Sequence, residues 1–341
     1  MFKQQAKISL FALVTSGTTS IILAVQGYGV WSIVYGNILS AVVAALLYWR
    51  ASKWRPKFGF YFNDIKDMIT FSYKIFIANL LDVFFMNINN VIIGKYFTPT
   101  DVGLYQRAST FQKIPLQLST ESLQSVLFPT MSKIQNDEER LRKSYKQSLQ
   151  VSTFISFPLM LVLALSADSL VKVLLPEPWW PLIQYLEILT IGGMVYPMHG
   201  ILTNIIVVKG LGGLFLKLEI IKKIMIVIGI AIGFNWGVYG IVVSSVVVVY
   251  INMLINAFVG GKLVSLSIKE ILLDQLSMFG ISLIVAVIDY FIVMQMQSGL
   301  AKIAVILVSY VLFYIGFSHL FNIQAYREIK IIVQRIILKR K

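Results

Sequence analysis

Apolar runs of about twenty residues alternate with short polar breaks along almost the whole chain. A run of that length spans a bilayer as a helix. The pattern predicts ten membrane helices, over roughly 8–26, 30–49, 68–97, 98–133, 148–167, 181–208, 214–234, 238–259, 275–294 and 301–321. The fourth is the unusual one. Thr98 caps it, Pro99 suits its first helical position, and Asp101 stands where a capping box places an acid. Gln106, Thr110, Lys113, Gln117, Thr120, Glu121 and Gln124 recur at steps of three or four, so they share one face. Lipid cannot surround that face, because an ionisable group at mid-membrane costs several kcal/mol. It is either a polar seam between helices or the wall of a water-filled cavity. Pro115 predicts a kink.

The third helix carries a second polar side. At 100° per residue Asn79, Asp82, Asn89 and Asn90 fall together, with Asn87 at the edge. Asp82 is either a structural partner of Lys113 or Lys74, or a site for a coupling H+ or Na+. Lys113 is the natural site for an anionic group, since phosphates need charge and donors. The expected substrate pathway is therefore Asn79, Asp82, Asn89, Asn90, Gln106, Lys113, Gln117, Glu121 and Gln124. Lys217, Glu219, Lys222 and Lys223 form an inner vestibule for a phosphate or ordinary inner-face anchors. Asn204, Asn252 and Asn256 read as interhelical hydrogen bonding.

Composition agrees with the pattern. Hydrophobic residues make up 57% of the chain and charged ones 13%, with mean hydropathy +0.77, which places the protein in an all-α, polytopic membrane class. The net charge of +14 would point to nucleic acid in a soluble chain. Here it follows membrane topology, and no nucleic-acid partner is expected. With Lys3 and Lys7 inside, Arg50–Lys66, Lys133–Lys146, Lys209 and Lys217, Lys262 and Lys269, and the tail from Arg327 to Lys341 are all inside as well. The outer loops keep Lys95, Lys172 and Lys302. Both termini are then cytoplasmic. The first helix is too long for a cleaved signal peptide and lacks a small-residue cleavage site.

Little else in the sequence points to chemistry. There is no cysteine. His199 and His319 have no ligand-spaced partners, so no metal is assigned, and no cofactor is expected. No phosphate loop, nucleophile elbow or paired catalytic acids occur. A membrane glycosyltransferase would need acids in a sizeable outer loop. The short outer segments offer only Asp101, Asp168 and Glu177, so an enzyme is not expected.

Gly27-Tyr28-Gly29-Val30-Trp31 and Asn235-Trp236-Gly237-Val238-Tyr239-Gly240 are similar uncharged outer turns, six helices apart. They imply a six-helix unit used twice. The first of them, together with Asn90-Val91-Ile92-Ile93-Gly94-Lys95-Tyr96-Phe97, Val102-Gly103-Leu104-Tyr105 and Phe128-Pro129-Thr130-Met131-Ser132, resembles the Wzx-type polysaccharide and O-antigen flippases. Those belong to the MOP superfamily, with the MATE exporters and the lipid II flippases. The resemblance implies twelve to fourteen helices in two six-helix lobes, this chain beginning at family helix five. Residues 1–60 would be the last two helices of a first lobe, 61–260 a complete second lobe, and 261–341 an extra helix pair with a basic tail. It also implies a bacterial inner-membrane protein that flips an undecaprenyl-pyrophosphate-linked oligosaccharide by alternating access, for lipopolysaccharide or other surface polysaccharide. Membrane lipids, a coupling H+ or Na+ and the polysaccharide polymerase machinery are the implied partners. The alternatives are a MATE-type drug or metabolite exporter and a truncated, non-transporting fragment.

Overall fold

The structure is a computed structural model that describes residues 2–52, 80–81 and 83–330, excluding the side chains of 2–4, 6 and 118–130. The chain divides into two units, Met1–Ile77 and Ala78–Lys341. The first contains the helices α1 (Phe2–Val25) and α2 (Trp31–Ala51). The second contains α3 (Ile88–Tyr96), α4 (Pro99–Lys133), α5 (Glu138–Leu174), α6 (Leu182–Val208), α7 (Gly212–Gly233), α8 (Gly237–Leu263), α9 (Ile268–Val293) and α10 (Leu300–Leu320). Among the described residues there is no strand.

Seven stretches among the described residues are long and apolar enough to cross a membrane, and one of them, Gly212–Leu263, is the α7–α8 pair. The 35-residue α4 is long enough but is not among them, because its polar positions dilute the apolar ones.

In the first unit, α1 and α2 form a hairpin of close backbones. A Cβ on Gly36 would fall 2.0 Å from Ser20 Oγ and 2.9 Å from the Ser16 carbonyl. Ser16 Oγ donates to Asn37 Oδ1 at 3.1 Å, and Ser40 Oγ to the Ala12 carbonyl at 2.8 Å. Small residues and hydroxyls join helices in this way where no hydrophobic force distinguishes a neighbour from lipid.

In the second unit α6 is the central helix, packing against α4, α5 and α8. Two apolar clusters close the ends of the bundle. One gathers Leu141, Tyr145, Met198, Leu202, Ile205 and Ala257. The other gathers Ile93, Ala108, Val171, Leu182, Leu186 and Ile241. A third joins α5 to α9 and α10 through Phe154, Phe157, Met160, Val285, Tyr310 and Tyr314. The run 324–330 after α10 is helical and packs Ala325 and Tyr326 on this third cluster.

Two local differences from the sequence reading have physical causes. The third predicted helix does not run unbroken to Phe97. It is interrupted at Asn87, with φ −107° and ψ 3°, where the side chain donates to the Val83 carbonyl at 2.9 Å. An asparagine amide that bonds nearby backbone competes with the helix ladder. Residues 138–147, which the apolar pattern leaves between the fourth and fifth helices, are the start of α5. Asp137 accepts from Arg140 N at 3.1 Å, Glu138 and Glu139 occupy the first turn, and Leu141, Tyr145 and Leu149 are buried on one face. The helix α4 is continuous through Pro115.

Candidate functional site

The predicted cap forms as a full capping box. Thr98 Oγ1 accepts from Asp101 N at 3.2 Å, and Asp101 Oδ2 accepts from Thr98 N at 3.1 Å. This turn folds α3 back along α4. Asn89 Nδ2 then donates to the Tyr105 hydroxyl at 3.0 Å, and Asn90 Nδ2 to Gln106 Oε1 at 2.7 Å. A Cβ on Gly94 would make an ordinary contact with the Val102 side chain at 3.5 Å.

Between the two apolar ends of the bundle lies a cavity of about 220 Å³. Asn89 and Phe85 line it beside α3, as do Tyr105, Ser109, Gln112 and Lys113 of α4 and Ser245 and Asn252 of α8. Oδ1 of Asn89 and Oδ1 of Asn252 are buried with no hydrogen-bond partner. The cavity walls are mostly apolar, with these amides, hydroxyls and Lys113 as their polar groups, and a buried acceptor without a partner is suited to donor groups such as sugar hydroxyls or water. Gln112 Nε2 donates to the Leu189 carbonyl at 2.9 Å and holds α4 to α6.

The nine predicted pathway residues divide accordingly. Asn89 and Lys113 line the cavity. Asn90 and Gln106 bind each other. Gln117 is exposed on α4, on the same helix as the exposed Gln106 and Lys113. Asn79 and Asp82 lie outside the described residues, and the side chains of Glu121 and Gln124 do too. Tyr105, Ser109, Gln112, Tyr196, Ser245 and Asn252 also line the cavity and were not in the expected set. Tyr105, Ser109 and Gln112 follow an i, i+4, i+7 spacing, which is the signal that could have found them.

Beside the cavity is a charged group on α7. Glu219 pairs with Lys222 and, at 3.7 Å, with Lys223; the three side chains are 12–20% exposed. Lys223 Nζ lies 5.6 Å from the ring centre of Phe85, itself a cavity-lining residue. Sequence placed these residues correctly on one helix but did not join them to the cavity. His199 is held on both sides. Its Nε2 meets the Val249 carbonyl at 3.0 Å, so that nitrogen carries the proton, and Nδ1 accepts from Asn256 Nδ2 at 3.1 Å. Asn256 therefore acts between α6 and α8, as the interhelical reading held.

Residues 1–184 match the family described as "Polysaccharide biosynthesis protein". The succinoglycan biosynthesis transport protein ExoT of Rhizobium meliloti (strain 1021) is 27% identical over 190 residues, 55% of this chain and 38% of that protein. The lipopolysaccharide biosynthesis protein WzxC of Escherichia coli (strain K12) is 23% identical over 272 residues, 79% of this chain and 55% of that protein. The teichuronic acid biosynthesis protein TuaB of Bacillus subtilis (strain 168) is 23% identical over 211 residues, 61% of this chain and 44% of that protein. The chain thus spans about half, or less, of each of these relatives. Among solved structures, the lipid II flippase MurJ in an inward closed conformation is similar in fold. Its TM-score is 0.72 at 18% identity, over 94% of this chain and 68% of that one.

Proposed function

The chain belongs to the polysaccharide biosynthesis protein family, and from that premise we propose that it takes part in flipping an undecaprenyl-pyrophosphate-linked oligosaccharide across a bacterial inner membrane. It is a multi-pass helical membrane protein of the MOP superfamily fold. The observation that carries the functional reading is the mid-bundle cavity, whose lining includes Asn89, Gln112, Asn252 and Lys113. Amides and hydroxyls suit sugar hydroxyls, and an ammonium suits a phosphate. The Glu219–Lys222–Lys223 group carries one net positive charge beside the same space and would attract the anionic head at that side.

In this reading the apolar tail stays in lipid while the head passes along α3 and α4. Asn79, Asp82, Gln117, Glu121 and Gln124 continue the polar path. Asp82 takes up a coupling H+ or Na+ and offsets the Lys113 charge as the lobes alternate around the site. Residues 1–60 supply the last helices of one lobe, 61–260 the other lobe, and 261–341 an extra helix pair and tail. Both termini lie in the cytoplasm, where the basic loops favour an anionic leaflet, and the polysaccharide polymerase machinery is a partner.

The test is transport of a lipid-linked oligosaccharide in a strain lacking its own flippase, with the chain expressed together with any in-frame sequence preceding it. Restored surface polysaccharide supports the reading. A strain that makes the lipid-linked precursor, places the protein in its membrane and still accumulates precursor inside would refute it.

A further inference from the structure

Asp289 stands alone near the end of α9, in a run otherwise apolar, and is fully buried. Neither of its carboxylate oxygens has a hydrogen bond of normal geometry. Its polar neighbour is Ser309 of α10. The Ser309 hydroxyl donates to the Val305 carbonyl at 2.6 Å, so its one proton is already committed. Toward Asp289, Ser309 can only accept. Tyr310 of α10 lies within electrostatic range of the acid, but its hydroxyl donates to the Ser282 carbonyl at 2.8 Å. The charges at the same end of the bundle are engaged with one another. Asp168 and Lys172 of α5 pair at 2.6 Å, Ser298 donates to Asp168, and Lys302 of α10 acts on the same carboxylate. Among the described residues, no cation acts on Asp289.

A buried carboxylate with neither a counter-charge nor a donor is costly, whereas the neutral acid brings the donor that this seam lacks. We propose that Asp289 is a proton-binding site, its carboxyl held as the neutral acid between α9 and α10 and donating to Ser309. A proton rather than a metal cation suits the place. One carboxylate and two committed hydroxyls fall short of the six or more oxygens that a hard cation collects. Loss of the proton places an unpaired charge in the α9–α10 seam, so proton binding and the packing of these helices are linked. The site lies in the extra helix pair, apart from the cavity, and does not depend on what the cavity carries.

The experiment is infrared spectroscopy of the full chain in lipid membranes, following the carbonyl stretch of a protonated carboxylic acid. The unsubstituted protein is expected to show this band at neutral pH. Asp289→Asn removes it, Asp289→Glu restores it at a shifted position, and Asp82→Asn leaves it in place. An unchanged spectrum in a helical, membrane-inserted Asp289→Asn protein overturns the proposal. Should that variant fail to insert, treatment of the unsubstituted protein with dicyclohexylcarbodiimide decides. This reagent modifies protonated carboxyls in apolar surroundings. An adduct mapped to Asp289 that declines as pH rises supports the proposal; an unmodified Asp289 at every pH overturns it.

Discussion

The Tyr314 hydroxyl donates to the Phe154 carbonyl at 3.0 Å, across the interface between α10 and α5. Phe154 lies four residues before Pro158, whose ring leaves that carbonyl without its helical N–H. In a membrane such a group must be satisfied by a neighbour. Tyr314→Phe is expected to cost about 1–2 kcal/mol of stability. In the Pro158→Ala background the same change should cost only a few tenths of a kcal/mol, because the alanine N–H restores the helical bond. Reversible unfolding of the four proteins in mixed micelles measures the coupling. A Tyr314→Phe cost that is equal in both backgrounds would show that the hydroxyl does not serve this carbonyl.

Glycines set the α7–α8 approach. A Cβ on Gly240 would lie 2.2 Å from the Gly233 carbonyl oxygen and 2.7 Å from Trp236 Cβ, and one on Gly233 would lie 2.4 Å from Ser244 Oγ. Gly240→Val should destabilise by about 1–3 kcal/mol or more, since backbone atoms must move. Gly280→Ala is the control. Nothing lies within 4 Å of its added Cβ, and the change should be neutral or stabilise by up to about 1 kcal/mol. Thermal inactivation midpoints in detergent test both, and a tolerated Gly240→Val would rule out the close contact.

Charge at Lys113 is the quantity to vary in the cavity. In flippase complementation, Lys113→Ala is expected to lower surface polysaccharide about tenfold or more, equivalent to about 1.4 kcal/mol at the rate-limiting step. Lys113→Arg keeps the charge and should retain part of the activity. Equal activity of the alanine and unsubstituted proteins at equal membrane levels removes Lys113 from the pathway.

Glu219 lies between two lysines inside an apolar helix. Glu219→Gln removes the carboxylate that both lysines share and should cost about 1–3 kcal/mol. Adding Lys222→Met should recover part of that loss. A protein in which the second change lowers stability further would show that the lysines do not depend on Glu219. Melting of the purified variants provides the comparison.

Topology can be read with single cysteines, because the chain has none of its own. Asn136 is exposed in the turn between α4 and α5, and Glu177 is exposed in the turn between α5 and α6. An impermeant maleimide applied to intact spheroplasts should label Glu177→Cys and spare Asn136→Cys. The opposite pattern inverts the proposed orientation.

Much of this protein was written in local order. Among the described residues most helices followed from apolar runs, and the Thr98–Asp101 cap from four consecutive residues. The family resemblance followed from the hairpin at Asn90–Tyr105 and the repeated outer turn. Both turns use glycines in the left-handed region, Gly27 at φ 88° and Gly237 at φ 69°, which no other residue adopts as readily. The stripe on α4 was legible too, because helical periodicity puts residues on a common face whatever surrounds them.

Contacts between distant segments were not legible. A stripe reports that a face is polar, not which helix meets it. Asn90 is bound to Gln106, Gln112 to the Leu189 carbonyl, and Asn252 lines the cavity, and none of these partners could be read from the sequence. Asp289 escaped notice because burial depends on what α10 places against it. Sequence by itself determined the class, the helices and the polar faces, since these depend on period, length and transfer energy. Only the tertiary structure decided which polar groups are paired, which are left open, and which surround a common space, because hydrogen bonding and burial are properties of atoms brought together from far apart in the chain.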